Sequence, residues 1–196
     1  MTKVKVLIEG YARKTKAGWL ASSTVTLIED CGKKIIVDPG INRELLLARL
    51  EKEGLQPENI DFIFMTHYHP DHVFLAAIFS KAVIFDGNTI YKNDKETEYK
   101  GKAPGTNLKV ILTPGHAHEH ASLLAKTAAG RIVVAGDVFW WTDDEEQKTD
   151  EKSLLGHPDP FTVDKNSLIA SRQKVLKIAD QIIPGHGKMF RVINHA

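Results

Sequence analysis

The sequence has a single cysteine, Cys31, in 196 residues. That excludes an internal disulfide and any zinc site built from cysteines, and it fits a reducing compartment. Long apolar runs are also missing: no stretch approaches the roughly 20 residues that a membrane-crossing helix needs. At the N-terminus, Lys3, Val4, Lys5 and Val6 alternate charge with apolar side chains, the pattern of a strand rather than of a secretory leader. Charge of one sign is lacking too. Lys plus Arg number 26 against 25 Asp plus Glu, which excludes both a global basic field for nucleic acid and the acidic excess of a disordered chain. No internal repeat or low-complexity linker divides the sequence. With 42% hydrophobic residues, the expectation is one soluble, cytoplasmic domain over residues 1–196, with no membrane partner.

What is present is an alternation of short apolar runs with helical patterns. Residues 4–9, 23–28 and 34–37 read as strands, the last two joined by a turn at Asp30-Cys31-Gly32 and closed by Asp38-Pro39-Gly40. Residues 42–51 carry helix formers with apolar spacing, and Gly54 stops them. Residues 60–65, 82–85, 108–112, 121–126, 131–135 and 181–183 continue the strand series, while 73–79 and 167–179 read as helices. Segment 10–20, with Arg13, Lys14 and Lys16, reads as a solvated connection, and 91–107 as a polar loop or hairpin.

The chemistry concentrates where apolar strands stop. Directly after residues 62–65 comes Thr66-His67-Tyr68-His69-Pro70-Asp71-His72, four ligand-type side chains within six residues. In extended backbone His67 and His69 project to one side. Pro70 suits the first turn of a helix, which places Asp71 and His72 in that turn. Imidazole and carboxylate at this density favour zinc or a similar first-row metal over calcium or magnesium. Further strand ends carry His116 in Thr113-Pro114-Gly115-His116, Asp137 in Ala135-Gly136-Asp137, and His186 in Pro184-Gly185-His186-Gly187.

These four motifs, in this order, resemble the metallo-β-lactamase superfamily, whose pattern is His-x-His-x-Asp-His followed by a histidine, a bridging aspartate and a final histidine. Asp38 matches that family's early strand-end aspartate. The resemblance implies an α/β fold, a four-layer αββα sandwich of two mixed β-sheets flanked by helices. It implies two divalent ions, zinc in the first instance, with iron or manganese as alternatives: one on His67, His69 and His116, the other on Asp71, His72 and His186, with Asp137 between them. His72 favours the dinuclear, glyoxalase-II-like form of the site, and His69 argues against the flavodiiron branch, which has glutamate there. His120 is read as a supporting residue and His118 as a rim residue. His157 and His195 are read as surface residues, and Trp140 and Trp141 as equally suited to pocket lining and to packing.

The implied activity is that of a metal-dependent hydrolase in which a hydroxide shared by two metals attacks an ester, thiolester, lactone or phosphodiester, with Asp71 orienting it or accepting its proton. The implied substrate is a small molecule, and the basic segment 13–16 suggests an anionic one. Only nine residues follow Gly187, so a compact hydrolase is expected rather than glyoxalase II itself. Residues 175–192 are similar to a compact subgroup of the family for which RNA is the alternative substrate and endoribonuclease the alternative activity. A mononuclear-iron persulfide dioxygenase would use a subset of the same ligands.

Overall fold

The computed structural model describes residues 1–193. In chain order the elements are β1 (Lys3–Ile8), β2 (Tyr11–Thr15), β3 (Gly18–Ser22), β4 (Val25–Asp30), β5 (Lys33–Val37), α1 (Arg43–Lys52), β6 (Phe62–Phe64), α2 (Pro70–Val73), β7 (Val83–Phe85), β8 (Thr89–Lys92) and β9 (Lys95–Glu98). There follow β10 (Lys109–Leu112), β11 (Ala121–Thr127), β12 (Gly130–Trp140), α3 (Glu151–Gly156), α4 (Lys165–Ile178), β13 (Gln181–His186) and β14 (Phe190–Arg191). One sheet has the order β1-β4-β5-β6-β7-β8-β9 and the second β10-β11-β12-β13-β14. Both are mixed, with parallel pairs at β5/β6, β6/β7 and β12/β13.

The period-two pattern of the strands creates the layers. Ile35, Val37, Phe64, Ile132 and Val134 point into a core shared by the two sheets. Their neighbours face outward: Ile36 and Ile63 pack against Leu46 and Leu50 of α1, and Val133 and Ala135 against Val175 and Leu176 of α4. Strands apolar on both faces, covered on both sides, make a helix–sheet–sheet–helix sandwich. Each fully buried Ile, Val or Phe side chain contributes about 1.5–3 kcal/mol. Asn42 caps α1 by accepting from the Leu45 N–H at 3.1 Å, and Asp164 caps α4 by accepting from Asn166 and Ser167.

Three segments differ from the sequence reading. Segment 10–20 is not a plain connection but the β2–β3 hairpin, and its Arg13 is paired with Asp143 at 2.9 Å. Residues 74–78 form a 3-10 helix rather than an α-helix. α3 falls within residues 143–161, a polar, proline-interrupted stretch in which the sequence marks no helix; Asp150 caps it and Leu154 is its one buried side chain. The loop or hairpin expected over 91–107 is a hairpin, β8–β9. No helix among the described residues is long and apolar enough to cross a membrane. His195 lies outside the described residues.

Candidate metal centre

Parallel neighbours deliver their C-terminal ends to the same edge. β5 runs out into Asp38 and β6 into the Thr66–His72 segment, and the Asp38 N–H donates to the Phe64 carbonyl across the pair at 3.0 Å. In the second sheet β12 carries Asp137 beside β13, which ends on His186. The two edges are stitched together: the Ser23 N–H donates to the Asp71 carbonyl at 3.0 Å, and the Thr24 N–H to the Gly185 carbonyl at 2.7 Å. His116 arrives on the Thr113–His116 turn, where Gly115 has φ of 135° and an added Cβ would lie 2.2 Å from the Leu168 nitrogen. Glycine is required there.

All seven residues singled out in the sequence are brought together, in two groups. Donor atoms of His67, His69, His116 and Asp137 lie within 4.8 Å of one another, as do those of Asp71, His72 and His186. Asp137 stands between the groups. Its Oδ2 faces His116 Nε2 at 3.3 Å and His67 Nε2 at 3.8 Å. Its Oδ1 faces His72 Nε2 at 3.3 Å and His186 Nε2 at 3.9 Å. The Asp71 carboxylate lies 3.2 Å from His186 Nε2, and His69 meets His116 Nε2 through its Nδ1 at 3.1 Å.

Four of the five histidines thus turn Nε2 inward, and in each the outward Nδ1 is held. Asp38 Oδ2 accepts from His72 at 2.9 Å, Asp159 Oδ2 from His116 at 2.7 Å, and the Tyr11 carbonyl from His186 at 3.0 Å. Thr66 donates its hydroxyl to Asp38 at 2.7 Å, leaving its oxygen to accept from His67 Nδ1 at 3.0 Å. A proton fixed on Nδ1 leaves the Nε2 lone pair free for a ligand. His67 Nε2, His72 Nε2 and Asp137 Oδ1 are buried without a hydrogen-bond partner, a costly state for polar atoms. Unpartnered lone pairs, neutral imidazoles and carboxylates fit divalent cations.

The carboxylates favour positive charge at the centre, a divalent ion or, without one, a proton. Burial would lower the His72 pKa, but Asp137 and Asp38 outweigh it and hold the ring well above its ordinary value. Burial would raise Asp137, yet His72, His186 and His116 keep its carboxyl well below the usual range. His67 goes the other way, pushed well down by burial and by His72.

His120 is different. Its Nε2 accepts the Asp137 main-chain N–H at 3.1 Å, and its Nδ1 is 3.0 Å from Thr113 Oγ1, which continues to Ser122 Oγ at 2.9 Å. Both nitrogens are spent on support, and burial with the neighbouring His116 pushes its pKa down to about 3. His118 is exposed. His157 is half-buried and stacks with Trp141, centroids 5.3 Å apart, rather than lying free at the surface. Trp140 lines the pocket, whereas Trp141 belongs to the core beneath α4.

A cavity of about 430 Å³ opens over both groups. Its polar floor is His69, Asp71, Asp137 and His186, and its walls are Ala12, Trp19, Ala21, Ile41, Pro70, Trp140 and Phe161. Trp19 from the hairpin meets Phe161 edge-on at 5.9 Å, and Phe161 lies 5.7 Å from Trp140. Sequence reasoning missed Asp159, the Tyr11 carbonyl and Phe161, whose roles depend on tertiary contacts between distant segments.

The family profile described as metallo-beta-lactamase superfamily matches residues 18–108. Metallo-beta-lactamase domain-containing protein 1 of Xenopus laevis is 35% identical over 98% of this chain and 82% of its own length. This chain belongs to the metallo-beta-lactamase superfamily. A metallo-beta-lactamase-fold structure from Thermotoga maritima superposes with a TM-score of 0.68 at 20% identity, covering 97% of this chain and 99% of that one. The dizinc quorum-quenching lactonase AidC superposes with a TM-score of 0.58 at 18% identity, covering 86% of this chain and 74% of that one. As a metallo-beta-lactamase superfamily member with this His/Asp cluster, the chain is a metallo-hydrolase.

Proposed function

We propose that this hydrolase cleaves a small, uncharged ester, thiolester or lactone bearing an apolar acyl group, at a dinuclear centre. In this reading His67, His69 and His116 would hold one divalent ion and Asp71, His72 and His186 the other, with Asp137 placed between the two groups as a candidate donor to both. The observation that carries it is the pocket: both half-sites open into one cavity with apolar and aromatic walls and no lysine or arginine among its lining residues. A neutral, apolar acyl group gains from such walls, whereas a charged group reaching beyond the floor would lose hydration against them with no lysine or arginine to pair it. Of the basic segment, Arg13 is engaged by Asp143, and Lys14 and Lys16 are exposed outside the lining. That weighs against the anionic substrate suggested by their charge.

When bound, divalent ions supply Lewis acidity, polarising a scissile carbonyl and making water ionise near neutral pH. The chain does the rest. Asp71, whose carboxyl stays below its usual range despite burial because His186 and His72 face it, is an ionised acceptor at neutral pH and orients the attacking water. Trp19, Phe161 and Trp140 hold the acyl group and exclude solvent. The all-nitrogen-and-oxygen set suits zinc first and accommodates iron or manganese, and the dizinc lactonase of the same fold supports zinc and a carbonyl substrate. RNA is the second reading, favoured by Trp19 and Phe161, half-exposed aromatic faces at the mouth on which a base can stack.

The test is elemental analysis of protein purified without added metal, then turnover on esters, thiolesters, lactones and an RNA oligonucleotide. Two ions per chain are expected, with ester or lactone turnover dominant. Asp71→Ala should keep one ion and His116→Ala should keep the other. Wild-type metal content and turnover in both variants would sink the reading. One iron per chain, with oxygen uptake on a persulfide, would replace it by the dioxygenase.

A further inference from the structure

The segment between α3 and the Asp164 cap of α4 is a strap, His157-Pro158-Asp159-Pro160-Phe161-Thr162-Val163, that passes beside the first half-site. It is firmly fastened. Arg172, buried beneath it, donates to the His157 carbonyl at 2.6 Å. At its far end Thr162 Oγ1, the Val163 N–H and the Asp164 N–H converge on the Gly115 carbonyl at 2.8, 2.9 and 3.0 Å. Gly115 directly precedes His116. Prolines on both sides restrict the backbone of Asp159, so its carboxylate is presented from a stiff support.

That carboxylate uses its two oxygens separately. Oδ2 lies 2.7 Å from His116 Nδ1, and both side chains are only 1% exposed. Oδ1 accepts the Phe161 main-chain N–H at 3.0 Å, and Phe161 is a pocket wall. We propose that Asp159 is a positioning residue for both the first half-site and the pocket wall: one oxygen fixes the tautomer and aim of His116, the other fixes the Phe161 wall. The proposal rests on the reading of His116 as a metal ligand.

The charge count gives the arrangement a reason. Asp38 stands behind His72 in the second half-site just as Asp159 stands behind His116 in the first. With Asp71 and Asp137 the two half-sites then gather four carboxylates, matching the formal charge of two divalent ions. An anionic acceptor behind an imidazole also makes it a stronger donor to metal. A capped turn alone explains the Phe161 contact but gives no reason to bury a carboxylate oxygen against His116.

Asp159→Asn separates the two roles. The amide oxygen can still accept from Phe161, but its NH2 then faces His116 and demands an acceptor, which shifts the ring proton to Nε2 and blocks the donor lone pair. Zinc titration of metal-stripped D159N should show the first ion bound about 10- to 100-fold more weakly, with the second unchanged, and a lower kcat at a KM within about twofold of wild type. F161A should show the opposite split, a raised KM with both ions retained. Nitrogen-15 NMR of metal-free protein, recorded at alkaline pH where the ring is neutral, should find His116 as the Nδ1–H tautomer in the wild type and Nε2–H in D159N. D159N that binds both zinc ions with wild-type affinity and keeps the Nδ1–H tautomer overturns the proposal. If instead H116A leaves zinc binding unchanged, the metal reading of His116 fails, and the tautomer comparison still decides whether Asp159 positions the ring.

Discussion

The Tyr11 main-chain carbonyl oxygen lies 3.0 Å from His186 Nδ1, tying the first residue of the β2–β3 hairpin to the last residue of β13. A pocket wall and a candidate metal donor are therefore one mechanical unit. The Gly187 N–H adds a bond to the Gly10 carbonyl at 3.0 Å, and Gly10 fits only because it has no side chain: a Cβ would lie 2.2 Å from the Gly185 carbonyl oxygen.

Gly10→Ala should consequently push the hairpin off β13 and take the Tyr11 carbonyl away from His186. Overpacking of this kind costs about 1–3 kcal/mol, which for a chain of this size lowers Tm by roughly 2–12 °C. The second ion should bind more than about 10-fold more weakly, as expected when a donor is no longer oriented by its partner, while the first is retained. Calorimetry with zinc titration reads both, and unchanged affinity for both ions would show that the carbonyl does not orient the ring.

The parts of this site legible in the sequence are those a short segment encodes. His67, His69, Asp71 and His72 are displayed by one strand end and one helical turn, and His116, Asp137 and His186 each follow an apolar run, so local pattern locates them. The layered fold is legible for the same reason, since alternation in residues 35–37, 62–64 and 132–135 specifies two covered faces. The supporting groups are not local. Asp159 is 43 residues from His116 and Tyr11 is 175 from His186, and a main-chain carbonyl has no sequence signature at all. The hairpin is hidden because β2 is polar and basic, β3 leaves Trp19 and Leu20 exposed, and neither strand buries an alternating apolar face.

Support by His120 can be distinguished from ligation. Its Nε2 is committed to the Asp137 N–H, so His120→Ala leaves a buried donor unsatisfied, a cost of about 1–3 kcal/mol before the cavity is counted. A Tm drop of at least roughly 2–12 °C is expected, with metal stoichiometry still two. Loss of one ion with little change in Tm would make His120 a ligand.

Protons and metals should compete. In the metal-free protein His72 and His116 have raised pKa values, each because Asp137 and a second carboxylate outweigh burial. Their contribution to stability is complete below the unfolded histidine value of about 6.5 and is lost as pH rises through their folded values. His67, His69 and His120 are depressed, chiefly by burial. Their contribution is complete above about 6.5 and is lost as pH falls towards their folded values. Metal-free stability should therefore peak near pH 6.5 and fall on both sides, and zinc should abolish the alkaline decline. Zinc binding at pH 7 should release about one to two protons, read by calorimetry in buffers of differing ionisation enthalpy. A metal-free Tm that rises steadily from pH 6.5 to 8 would contradict the raised values of His72 and His116.

The substrate preference rests on which side chains face the cavity, and two variants separate apolar walls from surface charge. Trp19 supplies the hairpin's aromatic face to the pocket and touches Phe161, while Lys14, also on the hairpin, and Lys16 at its turn point to solvent outside the lining. Trimming an apolar wall of an acyl pocket costs about 1–3 kcal/mol of discrimination. Trp19→Ala should therefore raise KM for a long-acyl ester about 5- to 100-fold and leave an acetyl ester within about threefold. Neutralising Lys14 and Lys16 together should leave the kinetics of both neutral esters unchanged, because solvent-screened charges outside the cavity do not touch an uncharged substrate. The same double variant should weaken binding of an RNA oligonucleotide and flatten its salt dependence, since fewer phosphates are then neutralised and fewer counterions set free. Loss of ester turnover in the lysine variant, with W19A kinetically silent, would move the assignment from carbonyl substrates to the phosphodiester.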